Sequence, residues 1–382
     1  MAPRYESLTA WRGVACLLVV IYHSARLPAG EIGGLTAWVY EVLGRFWVGV
    51  PLFFVISGYC VTASADAMRN RTAPARIYFW RRFRRIYPPY WVLMAGAALF
   101  LGLGEVHWSA GFAQNLLMAN PLTLSPWQWI GNLTLTETWR WHFVGGAENA
   151  LLPQSWTLCY EEQFYLVVGV VLSLTRRFFF LGLAAVTLGV AILVVFPVTG
   201  LYTRGLFLDG HWLMFAAGAL VYYAANYVPE RWRIWCGLPL AVLALQVIAG
   251  PGQLRQSENQ SYLAAYLFAM LILGLKPWDK AMARWRLLAP LWYCGDRCYS
   301  LYLIFWPVVM MAGQAVDAWI GASLAAIFLV RIPVCVALTV ALGSLFHRWV
   351  ELRFWTPAIR SSSLETPPPA RACRRWGVCR LA

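Results

Sequence analysis

A helix crosses a bilayer when roughly 20 consecutive residues are mostly apolar, and this 382-residue chain is built almost entirely from such runs. About ten are legible, near 8–27, 39–64, 86–104, 155–175, 178–198, 206–228, 234–250, 261–275, 290–316 and 320–349. Hydrophobic residues make up 60% of the chain and charged residues 13%, far from a soluble domain's balance of about 25% charged. Disordered, coiled-coil and disulfide-scaffold classes are excluded on the same grounds. The run near 8–27 holds Arg12 and shows no small-residue cleavage site, so it reads as a retained first helix.

The charges orient these runs. The net charge is +14, and the arginines cluster at alternate run ends: Arg69 to Arg85, Arg176 and Arg177, Arg231 and Arg233, Lys276 to Arg286, and Arg348 onward. The positive-inside rule then predicts an all-α polytopic membrane bundle of about ten helices with both termini inside. Basic residues beside apolar runs point to anionic headgroups or anionic ligands rather than nucleic acid. Residues 1–360 form one transmembrane domain, with a Trp-rich outer loop at about 105–154 expected to lie on the bilayer or cap a cavity. Residues 361–382 read as a disordered basic tail inside. The nine cysteines show no zinc-site spacing, so no metal is expected.

Ionisable residues within apolar runs carry functional weight, because a charge at mid-membrane costs about 2.5–3.5 kcal/mol on insertion scales. Arg12 and His23 are separated by three helical turns plus about 20°, so they share one face about 16 Å apart. Read alone, the pair is better explained as an arginine snorkelling to the inner interface and a histidine capping the outer end. Glu161 and Glu162 sit about two turns into the fourth run and point about 100° apart, so one of them faces a given cavity. The alternating topology puts His23 and Glu161 in the same leaflet, where a carboxylate could orient an imidazole acting as general base. On the inner side, Arg82 and Arg85 stand next to the third run amid aromatics, suited to phosphate contacts.

Together these motifs resemble the acyltransferase-3 family of integral-membrane acyltransferases. The resemblance rests on Arg12 and His23 in the first helix and on Phe53-Phe54-Val55-Ile56-Ser57-Gly58 in the second. It extends through the Arg82–Arg85 run with Pro88 and Trp91, Trp156-x-Leu158-x-x-Glu161-x-x-Phe164-Tyr165 in the fourth, and Tyr299-Ser300-Leu301-Tyr302-Leu303 in the ninth. Glu351 resembles the family's final Glu-x-Pro ending, with Arg353 in place of proline. The chain also departs from the pattern at Phe305, where many relatives carry histidine.

The resemblance implies a multi-pass protein of the bacterial inner membrane that moves an acyl group, usually acetyl, to a hydroxyl of a sugar, polysaccharide, glycolipid or secondary metabolite. The donor is acyl-coenzyme A acting as co-substrate, with no permanently bound cofactor. His23 and Glu161 are then the catalytic residues, selecting Glu161 over Glu162. Arg12, Ser57, Arg82, Arg85, Trp156, Tyr165 and Tyr302 contact donor or acceptor. The competing class is a proton-coupled transporter or flippase using the same Arg, His and Glu as a relay. Such proteins usually show repeats and paired broken helices, and neither is legible here.

Overall fold

The computed structural model describes residues 5–25, 34–71, 74–196, 201, 203–249, 259–321 and 323–355. The basic tail at 361–382 lies outside them. Among the described residues the chain is all helix. In order these are α1 (Leu8–Ser24), α2 (Gly34–Gly44), α3 (Gly49–Asn70), α4 (Ala75–His107), α5 (Phe112–Asn115), α6 (Pro126–Thr134), α7 (Glu137–Val144) and α8 (Trp156–Leu174). They continue with α9 (Phe179–Val195), α10 (His211–Tyr227), α11 (Arg233–Ala249), α12 (Asn259–Leu275), α13 (Asp279–Arg284), α14 (Ala289–Asp296), α15 (Cys298–Ile320) and α16 (Leu324–Phe354). Two π turns, Ile327–Arg331 and His347–Glu351, interrupt α16.

Seven helical stretches are long and apolar enough to cross a membrane, and α1 is a shorter apolar helix beside them. The ten runs expected from sequence are all helical in their described parts. Three of them, near 8–27, 206–228 and 234–250, form helices of 17 residues each, which is why the count of full-length spans is seven.

Helices pack closely in lipid where small residues let backbones meet. The α3–α10 seam shows this from both sides: a Cβ on Gly58 would lie 1.9 Å from the Phe215 carbonyl oxygen, and one on Gly218 would lie 1.8 Å from that of Val55. This seam holds Ser57 rigidly beside α10. At the end carrying Arg69 to Arg85, here termed the basic end, Asp279 anchors the start of α1. Its carboxylate accepts the backbone N–H groups of Glu6 (2.9 Å) and Ser7 (2.8 Å), which are otherwise orphan donors ahead of a helix. Asp66, also buried there, accepts from Arg69, Tyr222 and Tyr227.

The Trp-rich segment does more than cap the bundle. From the end of α4 it turns back through α5 to α7 along the length of α4. The last carbonyls of α6, lacking intrahelical partners, accept from α4 side chains: Thr134 from Tyr87 (3.1 Å), Asn132 from Tyr90 (2.9 Å) and Leu133 from Trp91 (2.8 Å). A buried Glu137–Arg140 pair at 2.8 Å fixes the following chain, with Arg140 donating to the carbonyls of Gly145 and Ala147 and Glu137 accepting from the Asn149 N–H. Buried ion pairs persist where every remaining donor and acceptor is satisfied, and this one meets that condition across residues 137–149. The chain then reaches the 3₁₀ turn Pro153–Ser155, where the Gln154 side-chain amide donates to the Leu303 carbonyl at 2.6 Å. α8 therefore starts deep inside the bundle.

Candidate active site

His23 occupies the last turn of α1 and lies level with Phe305, midway along the α14–α15 pair. Its ring packs on Phe305 (5.3 Å between centroids) and Trp306 (4.9 Å). It lines a cavity of about 420 Å³ together with Trp47, Gln154, Trp156, His211, Tyr302, Phe305 and Trp306. That volume is in the range of small-molecule pockets, about 300–1,000 Å³, which are typically apolar with a few placed polar groups. Tyr302 is held there by hydrogen bonds to the Thr157 hydroxyl (2.7 Å) and the Gln154 carbonyl (3.2 Å). Trp156 stands edge-on to Phe54 and to His211.

Below the cavity, toward the basic end, lies a polar cluster. The Ser57 hydroxyl donates to the Glu161 carboxylate. The Arg12 guanidinium donates to the Cys60 sulfur at 3.1 Å, one turn along α3 from Ser57. Arg82 lies over the Tyr165 ring at 4.8 Å and over the Tyr78 ring at 5.7 Å, a cation–π arrangement on two faces. Arg12 and Arg82 both lie within Coulombic reach of Glu161, and Arg85 within that of the Tyr165 hydroxyl. Of the two adjacent acids, Glu161 is the one bonded to Ser57.

The structure thus sorts the sequence-derived candidates into two groups. His23, Trp156 and Tyr302 line the cavity; Arg12, Ser57, Glu161, Tyr165 and Arg82 gather beneath it, with Arg85 near. The Gln154–Leu303 bond starts α8 near the level of Phe305, which packs on His23, so Glu161, seven residues further along the helix, stands about 10 Å along its axis toward the basic end, a spacing that keeps it within one leaflet of His23. Its carboxylate takes Ser57 as hydrogen-bond partner.

A second arrangement escaped the sequence reading. The Asp209 carboxylate bonds the His211 ring at 2.8 Å and accepts the Tyr160 hydroxyl, and His211 faces the same cavity as His23. The only sequence signal is an Asp-Gly-His at the head of an apolar run, too short to stand out. Glu351 is likewise explained by contact. It accepts from Ser300 (2.5 Å) and bonds His347 (2.8 Å), tying α16 to α15 beneath the cavity.

A bundle of apolar helices with an arginine-rich end, a part-buried acid–arginine cluster and an aromatic cavity containing histidine defines a multi-pass integral membrane protein with a candidate ligand site. The acyltransferase domain of the acyltransferase-3 family matches residues 5–348, and the chain belongs to that family of membrane acyltransferases. It is 26% identical over 321 residues, 81% of this chain and 74% of the relative, to a protein of Komagataeibacter xylinus given the provisional name membrane-bound transacylase BcsY. It is also 26% identical over 170 residues, 42% of this chain and 23% of the relative, to the peptidoglycan O-acetyltransferase OatA of Listeria monocytogenes. No solved structure matches.

Proposed function

We propose that this protein is an acyl-coenzyme A-dependent O-acyltransferase that transfers an acyl group, acetyl in the simplest case, to a hydroxyl of a carbohydrate or glycosylated acceptor. The observation that carries this reading is vertical. A histidine-bearing aromatic cavity sits above a cluster of part-buried arginines on the side of the basic end. The donor's phosphates are recognised at that end, by Arg82 and Arg85, because arginine binds phosphate in bidentate fashion and keeps its charge when desolvated. The pantetheine arm runs inward past Arg12, Ser57 and Glu161 and delivers the thioester to the cavity floor. Glu161 balances the two part-buried guanidiniums and fixes Ser57 along that path.

In the cavity, His23 takes the proton of the acceptor hydroxyl as its oxygen attacks the thioester carbonyl. The carbon–sulfur bond breaks, and coenzyme A leaves as a thiol with the proton returned from the imidazolium. Trp156 and Tyr302 shape the acceptor side. No protein nucleophile is needed, because the thioester is already activated. The similarity to an O-acetyltransferase and to a transacylase supports the chemistry, and the arginine placement supports ten crossings with both termini on the cytoplasmic face of a bacterial inner membrane.

The test is transfer from radiolabelled acetyl-coenzyme A by the purified full-length protein in lipid nanodiscs, with no ion gradient. Release of coenzyme A dependent on His23 supports the reading. Absence of both transfer and hydrolysis, with gradient-dependent transport in vesicles, overturns it.

A further inference from the structure

The cavity that holds His23 contains a second imidazole, contributed by α10. We infer that His211, held by Asp209, accepts a hydrogen bond from a second hydroxyl of the acceptor and makes the site selective for rings with two neighbouring hydroxyls. This rests on the reading of the cavity as the acceptor site served by His23.

The geometry around Asp209 determines what His211 can offer. One carboxylate oxygen accepts the Tyr160 hydroxyl and the Gly205 N–H (3.0 Å). The other accepts the backbone N–H of His211 (3.2 Å) and bonds Nδ1 of its ring (2.8 Å). A carboxylate that already accepts three N–H and O–H donors acts as an acceptor toward the ring as well, so in the neutral imidazole the proton sits on Nδ1 and Nε2 is the acceptor nitrogen. Tyr160 stacks on the imidazole at 4.2 Å and 24°, and Trp156 closes it from the edge at 6.0 Å, which fixes the ring plane. Asp209 is thus a positioning residue that acts through His211.

The remainder of the cavity wall is largely indole and phenyl: Trp47, Trp156, Trp306 and Phe305. Such surfaces accept the C–H face of a ring but do not orient its hydroxyls. Orientation falls to the polar groups: the two imidazoles, Gln154, Ser261 and the hydroxyls of Tyr22 and Tyr302, the last already bonded to Thr157 and Gln154. One acceptor hydroxyl donates to His23 and reacts, and a neighbouring one donates to His211. An acceptor with a single hydroxyl forgoes the bond to Nε2 of the half-buried His211, and a site built to bond a hydroxyl discriminates against the analogue that lacks it.

The experiment uses the full-length protein in nanodiscs and two probes, trans-1,2-cyclohexanediol and cyclohexanol, which share a ring and differ by one hydroxyl. Diethyl pyrocarbonate modification of His211 and His23 is followed by peptide mass spectrometry. The diol is expected to protect His211 at about five- to tenfold lower concentration than cyclohexanol, the factor that one neutral hydrogen bond supplies. In H211F the diol's advantage in protecting His23 should vanish, and in H211Q, whose amide oxygen reaches the Nε2 position, part of it should remain. D209N should lower it as well, because a carboxamide can donate to Nδ1 and turn Nε2 into the protonated nitrogen. Equal protection by the two alcohols, or none by either, overturns the inference, and the wild-type measurement decides this even where a variant does not fold. Failure of the acyl-transfer reading is separate: it would show as diol protection without acetyl transfer from acetyl-coenzyme A.

Discussion

Gln154 donates its side-chain amide to the backbone carbonyl of Leu303 at 2.6 Å, across 149 positions of sequence. That bond joins the turn before α8 to the middle of the bundle and sets the depth of everything α8 carries. Trp156 is brought to the cavity wall, and Glu161 is carried down to Ser57 and the arginines.

His23→Ala is expected to lower acyl transfer by about 10²–10⁴-fold, the range for a lost general base, while acyl-coenzyme A binding persists. Stopped-flow transfer and equilibrium binding of a non-hydrolysable thioether analogue measure the two separately. Normal transfer in this variant would remove His23 from the chemistry.

The proposed donor path puts Glu161 apart from the proton transfer at His23, so its effect should be separable from that of the histidine. Glu161→Gln is expected to change analogue binding in the His23→Ala background by a factor similar to that in the wild type. An effect present in wild type and absent in the His23→Ala background would instead make the two residues one catalytic unit, which loses most of its effect with the first deletion.

Arg82→Ala with Arg85→Ala is expected to raise the Michaelis constant for acyl-coenzyme A with a smaller effect on the acceptor, each charge-assisted contact contributing about 1.5–3 kcal/mol. Comparing acetyl-coenzyme A with its dephospho form tests which phosphate is read. If wild type and variant discriminate the two carriers equally, these arginines do not contact the 3′-phosphate.

Gly58→Ala and Gly218→Ala should each destabilise the bundle strongly, since the new methyl group meets a backbone carbonyl within 2 Å rather than a movable side chain. Overpacking of this kind costs about 1–3 kcal/mol or more. Fluorescence-detected size-exclusion chromatography after heating should show earlier loss of the monodisperse peak. Wild-type thermal behaviour in either variant would mean that the α3–α10 seam is loose.

Phe305→His is expected to insert and fold normally and to alter the acceptor range, since the ring at this position packs on His23 at 5.3 Å. Product profiling over a panel of alcohols measures this. Complete inactivation of a folded variant would show that the aromatic ring itself is required.

The all-helical membrane class, the position of each apolar run and the identity of the basic end follow from the sequence alone, although α4 begins at Ala75, eleven residues ahead of its apolar run. Each depends on a local quantity, the length of an apolar run or the charge at its ends. The pairing of Arg12 and His23 on one face was legible for the same reason, because helical periodicity is local. Three runs with ionisable residues, around Arg12, Arg82 and Glu161, could also be marked as a site before their contacts were visible, and the family resemblance added Ser57. What only the tertiary structure decided is depth and partnership. The segment from Ser109 to Ser155 folds back along α4 through hydrogen bonds from Tyr87, Tyr90 and Trp91, and no apolar count records that descent. Glu161 is thereby brought to Ser57, its hydrogen-bond partner. The Asp209–His211 pair faces that same cavity because α10 packs against α3, glycine to backbone, at Gly58 and Gly218. Apolar periodicity says which residues face protein or lipid, but the level at which two helices meet is set by hydrogen bonds and close contacts between residues far apart in the chain.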